Sequence, residues 1–506
     1  MNAPSTGFTQ GPDFQAFAAG LGAGQGQVLW RERVADLDTP VGAYLKLVQG
    51  QPNAFLFESV EGGAARGRYS AIGMAPDLVW RCRDGRAEIN RHALSAPHAF
   101  AAEAAPPMES LAAAIEAARL PLPAGLPPIA AGLFGYLGYD MVRHMERLPA
   151  LRPDVLGIPE AVMMRPTLIA VFDHVRDTLT LCAPVFPGLD PQAAWDAALA
   201  RLDEAEAALD RPLPRPAPPA NLPALPEPAS NYARADFLAA VERAKEYIRA
   251  GDVFQVVPSQ RFSVPFALPP FALYRALRRI NPAPFLFFFD FGGYAAVGAS
   301  PEILVRLRQG EVTVRPLAGT RPRGATPEQD LALEKELLAD EKERAEHLML
   351  LDLGRNDVGR VAEIGSVRVT QSFNIERYSQ VMHIASEVRG RAREGVGALE
   401  ALSAGFPAGT LSGAPKVRAM EIIEELEPSR RGLYAGGVGY FGADGGMDTC
   451  IALRTALVKD GTMYVQAGCG VVADSDPAAE YEETRAKARG LFRAAEEAVR
   501  FAAGRR

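Results

Sequence analysis

Cysteine is scarce in this chain of 506 residues: four, at positions 82, 182, 450 and 469, with no C-x-x-C pair. That scatter excludes a disulfide framework, gives no zinc signature, and predicts four buried thiols in a reducing cytoplasm. Positive charge is not in excess either. Lys and Arg number 54 against 61 Asp and Glu, a formal net charge of −7, which argues against nonspecific nucleic-acid binding. Long apolar runs are missing: the most apolar stretch, 284–300, is broken by Asp290, Gly292 and Gly293, so no membrane span is expected. The first twenty residues hold no basic-then-apolar leader, which fits a cytoplasmic protein.

What is present is a soluble, globular composition, 48% hydrophobic and 23% charged, in a chain too long for one compact core. Proline recurs eight times between 211 and 230, a density that forbids helix and sheet and predicts an extended connector. The expected organisation is an N-terminal arm (1–25), an N-terminal lobe (26–210), the proline-rich linker (211–230) and a second domain (231–506). Short strands are expected at 54–58, 130–137 and 167–173, and helices at 195–209 and 236–249. The second half alternates β-branched strands (434–441, 450–459, 462–467) with long amphipathic helices at 328–353 and 478–502. Strand following strand favours an α+β fold of packed, largely antiparallel sheets over a doubly wound parallel one.

Several segments carry chemistry. Arg315-Pro-Leu-Ala-Gly-Thr-Arg-Pro-Arg-Gly324 reads as a stiff, sharply turning loop whose three guanidinium groups suit a small polyanion, or else as a solvated basic turn. Glu343 and Glu346, like Glu480 and Glu483, stand three apart and share a helical face, with Lys487 continuing the second face. Carboxylates from two helices favour a hard cation such as Mg²⁺; either pair alone also reads as solvated surface. His347 would suggest a transition metal, but it points about a hundred degrees away from Glu346. In Gly298-Ala-Ser-Pro-Glu302 the carboxylate follows a strand and a Ser-Pro turn, as a buried general acid or as a helix start. His383, one of six histidines, sits in a strand pattern, and Asp352–Asp357 reads as a structural helix end.

These segments, with Phe406-Pro-Ala-Gly-Thr-Leu-Ser-Gly-Ala-Pro-Lys416 and Gln466-Ala-Gly-Cys-Gly470, occur in the order found in the chorismate-utilising enzymes. The chain resembles the anthranilate synthase component I family over about residues 28–500. The resemblance implies two intertwined α+β lobes and a Mg²⁺ ion held by Glu346 and Glu483, with Glu343 and Glu480 fixing its waters. It implies that Tyr434 and Arg454 hold the enolpyruvyl carboxylate of chorismate, that Thr320, Ala318, Gly319 and the Gly468 backbone line the pocket, and that Lys487 faces the carboxylates. Glu302 matches the general acid that protonates the departing hydroxyl while ammonia adds, and His383 the position tied to pyruvate elimination.

Two positions separate the relatives. Gln255 stands where isochorismate and salicylate synthases resemble one another in having a water-activating Lys; an amide cannot deprotonate water. Ala318 stands where aminodeoxychorismate synthases have a nucleophilic Lys, and a methyl group cannot attack. What remains is direct attack by ammonia. Leu56-Phe-Glu-Ser59 and Arg68 resemble a tryptophan-inhibition element that pairs with Asn281-Pro-Ala-Pro-Phe-Leu286, so Glu58, Ser59, Arg68, Asn281, Pro284 and Leu286 are the expected inhibitor contacts. Ala283, Phe285 and Leu286 depart from that family's usual residues. A Gly-x-Cys-x-Gly turn with a later His-x-Glu is missing, which implies a separate glutamine amidotransferase subunit, in a heterotetramer of two large and two small subunits. The rival readings are an aminodeoxyisochorismate synthase that stops before pyruvate loss and a silent tryptophan-binding regulatory subunit.

Overall fold

The computed structural model describes residues 11–61, 65–149, 152–214, 222–378 and 381–504. Every strand pairing among them is antiparallel, and all but two short two-stranded ladders join one extended, branched sheet wrapped by helices. The α+β class expected from strand-after-strand order is the one found.

The halves of the chain are interleaved. Strand Ala54–Glu58 pairs with Phe285–Asp290, Leu286 opposite Glu58, and Gly132–Leu137 pairs with Gly437–Gly442. Segments on both sides of the proline-rich stretch therefore share hydrogen-bonded strands. The sequence Phe-Leu-Phe-Phe-Phe-Asp at 285–290 explains why one strand can join two layers. Alternate side chains face opposite ways, so Phe287 and Phe289 enter one apolar core while Leu286 and Phe288 enter the other. Each fully buried Phe is worth about 1.5–3 kcal/mol of transfer free energy, so the strand is a strong seam. Both cores mix residues from the two halves: Trp80 and Phe134 with Phe406 and Phe441, and Phe17 and Leu181 with Tyr274 and Leu491.

Several elements differ from the sequence expectation. The linker's proline run falls partly outside the described residues, at 215–221, and its last two residues, Ala229–Ser230, pair with strand Ser259–Pro265. The N-terminal arm carries a helix, Phe14–Gly22, whose Phe14 and Phe17 rings meet Trp195 edge-on. The expected single helix at 328–353 is two, Pro327–Ala339 and Glu341–Gly359. Asp340 leaves the helical region (ψ 112°) and caps the second helix by accepting from the Lys342 and Glu343 amides. That helix runs past Gly354 and Asn356, so 352–357 does not end it. A buried Lys416–Asp357 pair at 2.9 Å holds its last turn in place. The expected strand at 450–459 is likewise two, Met447–Ile451 and Thr455–Lys459, broken where Arg454 adopts φ +47°. All four cysteines are buried and free. Among the described residues no helix is long and apolar enough to cross a membrane.

Candidate active site

The segment 315–324 is mostly strand, Leu317–Pro322, rather than a turning loop, and its arginines are already occupied. Arg315 pairs with Glu376, Arg321 with Glu336, Asp340 and Glu343, and Arg323 with Asp330. Arg321 and Arg323 tie down the neighbouring helices and Arg315 the strand Arg368–Arg377, so all three are committed to acids, which corrects the expectation from composition. The segment's own contribution is a bulge. Ala318 pairs with Ile384 and Thr320 with His383, and the register slips between them at Gly319, φ +80°. A Cβ at Gly319 would stand 3.1 Å from Ile384 and 3.2 Å from a Glu343 carboxylate oxygen, so glycine is needed both for its backbone and for that close approach. The bulge brings the Thr320 hydroxyl within 3.0 Å of His383 Nδ1, which also lies 3.1 Å from the Gly319 carbonyl oxygen. Burial lowers the His383 pKa to about 4, with the Arg454 charge adding to the effect, so the ring is neutral at pH 7.

Glu302 occupies the turn between strands Tyr294–Ser300 and Ile303–Arg308 and is buried, so it does not begin a helix. Burial pushes its carboxyl up to about 8. The Leu317 amide (3.4 Å), the Thr410 hydroxyl (3.3 Å) and the Arg454 charge oppose that rise without overcoming it. Glu302 is therefore a protonated acid at neutral pH. Arg454, aimed by the break between its two strands, makes no ion pair among the described residues, although Glu302 and Tyr378 lie in its field. Tyr434 is buried in the turn before strand Gly437–Gly442, and a Cβ at Gly468 would stand 3.0 Å from its hydroxyl. The Gly468 carbonyl accepts from Lys487 Nζ at 3.0 Å.

The two acidic helices face one another across this site. The Gln255 amide donates to Glu346 Oε1 at 3.0 Å, and Gly470 lies so close that a Cβ there would strike the amide at 2.5 Å. Glu346 is pushed up chiefly by burial and further by Glu343 and Glu483; Glu480 is pushed up by burial and by Glu483. Glu483, half exposed, pairs with Lys487 at 2.7 Å. No three of these four carboxylates form a closed cage; among the described residues the only three-ligand cluster is elsewhere, at Cys82, His144 and Glu160. The quartet nonetheless fits a hard cation that keeps waters. Its donors are all carboxylate oxygens, they repel one another, and Glu480 Oε2 is buried without a hydrogen-bond partner. His347 takes no part: it is fully buried and bonds the Ser386 hydroxyl at 2.7 Å.

A separate cavity of about 800 Å³ is lined by Glu58, Ser59, Arg68, Pro284 and Leu286. Asn281, grouped with them by sequence, instead ends the helix Pro270–Ile280 and does not line the cavity. Glu58 is held by the Tyr274 hydroxyl (2.6 Å) and by Arg278 (2.7 and 2.8 Å). Sequence reasoning missed these two anchors, and also Arg306, Arg308, Tyr440 and Asp448 in the cavity lining, because strands distant in sequence pair to bring them there: 54–58 with 285–290, and 303–308 and 437–442 with 447–451. It also missed Thr410, which lay in plain view inside the 406–416 segment.

A buried acid, an unpaired arginine and facing carboxylates on interleaved antiparallel sheets define a site for a polycarboxylate substrate. Residues 76–493 match the chorismate binding enzyme family. Anthranilate synthase component 1 of Cereibacter sphaeroides is 60% identical over 97% of this chain and 98% of its own length, and that of Pseudomonas putida 51% identical over 92% and 94%. The crystal structure of anthranilate synthase component I from Streptococcus pneumoniae TIGR4 superposes with a TM-score of 0.74 at 36% identity, covering 91% of this chain and 99% of that one. The chain belongs to the chorismate-binding enzymes and, within them, to the anthranilate synthase component 1 family.

Proposed function

We propose that this chain is the synthase subunit that turns chorismate and ammonia into anthranilate and pyruvate through aminodeoxyisochorismate, the first committed chemistry of tryptophan biosynthesis, in the cytoplasm. The observation that carries the reading is the protonated Glu302 beside the unpaired Arg454, in a site that has no lysine at 255 or 318.

Chorismate is a dianion that loses a hydroxyl. Arg454 and the Tyr434 hydroxyl hold its enolpyruvyl carboxylate, and Thr320, Ala318, Gly319 and the Gly468 backbone shape the pocket. Glu346 and Glu483 would hold Mg²⁺, with Glu343 and Glu480 fixing its waters, and the ion would neutralise and orient the ring carboxylate. Glu302 gives its proton to the departing hydroxyl, the event a pKa near neutrality favours. Gln255 Oε1 is buried without a hydrogen-bond partner and is an acceptor for an incoming N–H. His383, neutral and oriented by Gly319 and Thr320, serves the elimination of pyruvate. Ammonia comes from a glutamine amidotransferase partner, in an assembly of two large and two small subunits. Tryptophan occupies the cavity at Glu58, Ser59 and Arg68 as feedback inhibitor.

The test is the purified chain with chorismate, Mg²⁺ and excess ammonium salt, followed by anthranilate fluorescence. Accumulation of aminodeoxyisochorismate without fluorescence would place the chain among synthases that stop early. Tryptophan binding with no turnover would make it a silent regulatory subunit.

A further inference from the structure

Outside the acidic quartet, three side chains from separate elements converge. Cys82 lies near the end of strand Tyr69–Arg83, His144 ends the short helix Tyr139–His144, and Glu160 immediately precedes strand Ala161–Asp173. Strand pairing fixes two of them side by side, since the Glu160 amide donates to the Cys82 carbonyl oxygen at 2.8 Å. The Cys82 sulfur stands 3.1 Å from Glu160 Oε2 and 3.7 Å from His144 Nε2, and the three ligand atoms lie within 4.8 Å of one another. We propose that Cys82, His144 and Glu160 form a binding site for a single thiophilic divalent cation of the Zn²⁺ class, separate from the site of the carboxylate chemistry.

The geometry suits a tetrahedral ion. With Zn–S near 2.3 Å and Zn–N or Zn–O near 2.0–2.1 Å, ligand atoms on one tetrahedral edge stand about 3.6 Å apart. The sulfur–nitrogen distance already matches, and the sulfur–oxygen edge needs to open by about half an ångström. The donor set of thiolate, imidazole and one carboxylate is the soft-to-borderline mixture that zinc takes and magnesium refuses. Outer contacts are in place as well. The Gly85 amide bonds both Glu160 oxygens (3.0 and 3.3 Å), and Arg430 bonds Oε1 at 3.4 Å, which leaves Oε2 turned to the sulfur. Cys82 is buried while His144 and Glu160 are partly open, so an ion has an approach and a place for water as fourth ligand. The chemistry balances simply: the thiol gives up its proton to solvent, sulfur donates its electron pair to the metal, and one proton is released per ion bound.

The experiment is titration of the purified, metal-stripped full chain with Co²⁺ in the presence of excess Mg²⁺, which occupies hard carboxylate sites. The expected result is a near-ultraviolet thiolate-to-cobalt charge-transfer band that saturates at one Co²⁺ per chain and is bleached by Zn²⁺. His144→Gln, at a partly open position, is expected to weaken Co²⁺ binding at least tenfold while its far-ultraviolet circular dichroism stays that of the parent. Cys82→Ser is expected to abolish the band. Absence of the band in the parent protein, or a band of unchanged affinity in His144→Gln, overturns the proposal. Retention of the band in a folded Cys82→Ser variant, which assigns it to another thiol, does so too.

Discussion

The Gln255 side-chain amide donates to Glu346 Oε1 at 3.0 Å, tying the residue proposed to set the nucleophile to a carboxylate of the proposed metal site. A lysine at 255 would place an ammonium against Glu346, compete with a cation for that carboxylate, and remove the unpartnered Oε1 acceptor. Gln255→Lys is therefore expected to raise the Mg²⁺ concentration giving half-maximal rate and to cut ammonia-dependent anthranilate formation roughly tenfold or more, about 1.4 kcal/mol in the barrier. Anthranilate fluorescence across a Mg²⁺ series measures both, and an unchanged Mg²⁺ requirement would break the link between Gln255 and the metal.

Glu302 makes a pH prediction with a definite sign. Its pKa in the free protein is raised to about 8, and in the proposed mechanism the reactive form is the protonated one. At a fixed concentration of free ammonia, kcat/KM should be level below pH 8 and fall above it, because kcat/KM reports free-enzyme ionisations. Glu302→Gln should lose about 10²–10⁴-fold in turnover and lose that alkaline limb, with chorismate affinity far less affected. An equal loss of binding and turnover would make Glu302 a binding residue only.

The fold class, the antiparallel order and the two acidic faces were legible because period-2 and 3.6-residue patterns are local. Strand 54–58 could be placed to the residue, since its apolar run is bounded by polar turns. What sequence could not give were facts created by tertiary contact. The break at Asp340 depends on Arg321 and on capping amides, the break at Arg454 on a left-handed residue that is not glycine, and the commitment of Arg315, Arg321 and Arg323 on acids from three other elements. The Cys82–His144–Glu160 cluster was illegible for the same reason: ligands 62 and 16 residues apart carry no motif, so scattered cysteines read as inert.

The acidic quartet should respond to protons before ordinary carboxylates do. Burial raises both Glu346 and Glu480, so each takes up a proton at a higher pH than an exposed Glu and loses its use as a ligand. The Mg²⁺ needed for half-maximal rate is expected to rise as pH falls toward 5. Glu483→Ala should abolish Mg²⁺-dependent turnover, and Glu480→Gln should weaken the apparent Mg²⁺ affinity about 10–100-fold. Calorimetric Mg²⁺ titration checks both, and parent-like binding in Glu483→Ala would remove it from the ligand set.

Ser59 lines the 800 Å³ cavity at the seam where strand 54–58 meets strand 285–290. A larger apolar side chain there takes up cavity volume without touching Glu302, His383 or the acidic helices. Ser59→Leu is expected to raise the tryptophan concentration for half-inhibition at least tenfold, about 1.4 kcal/mol of binding, while uninhibited kcat stays within about twofold. Parallel loss of kcat would instead mark the cavity as part of the catalytic framework.

Lys416 and Asp357 offer a test of how the helix carrying Glu343 and Glu346 is held. Lys416 Nζ sits 2.9 and 3.0 Å from the two Asp357 oxygens and 3.3 Å from the Gly405 carbonyl oxygen, with both side chains more than nine-tenths buried. Burial pulls the lysine down and pushes the aspartate up, and each charge is sustained chiefly by the other, with Arg360 also favouring the aspartate's charge and Glu146 the lysine's. Lys416→Met strands a carboxylate in an apolar setting and should cost about 3–5 kcal/mol, whereas Lys416→Met/Asp357→Leu should recover most of it. Because Asp357 lies in the last turn of the helix that carries Glu343 and Glu346, the single variant should also raise the Mg²⁺ requirement, and the double variant should restore it. A double-mutant cycle read by thermal midpoint and by Mg²⁺ titration separates the two effects. Stability recovered without metal affinity would show that the pair positions the helix as well as anchoring it.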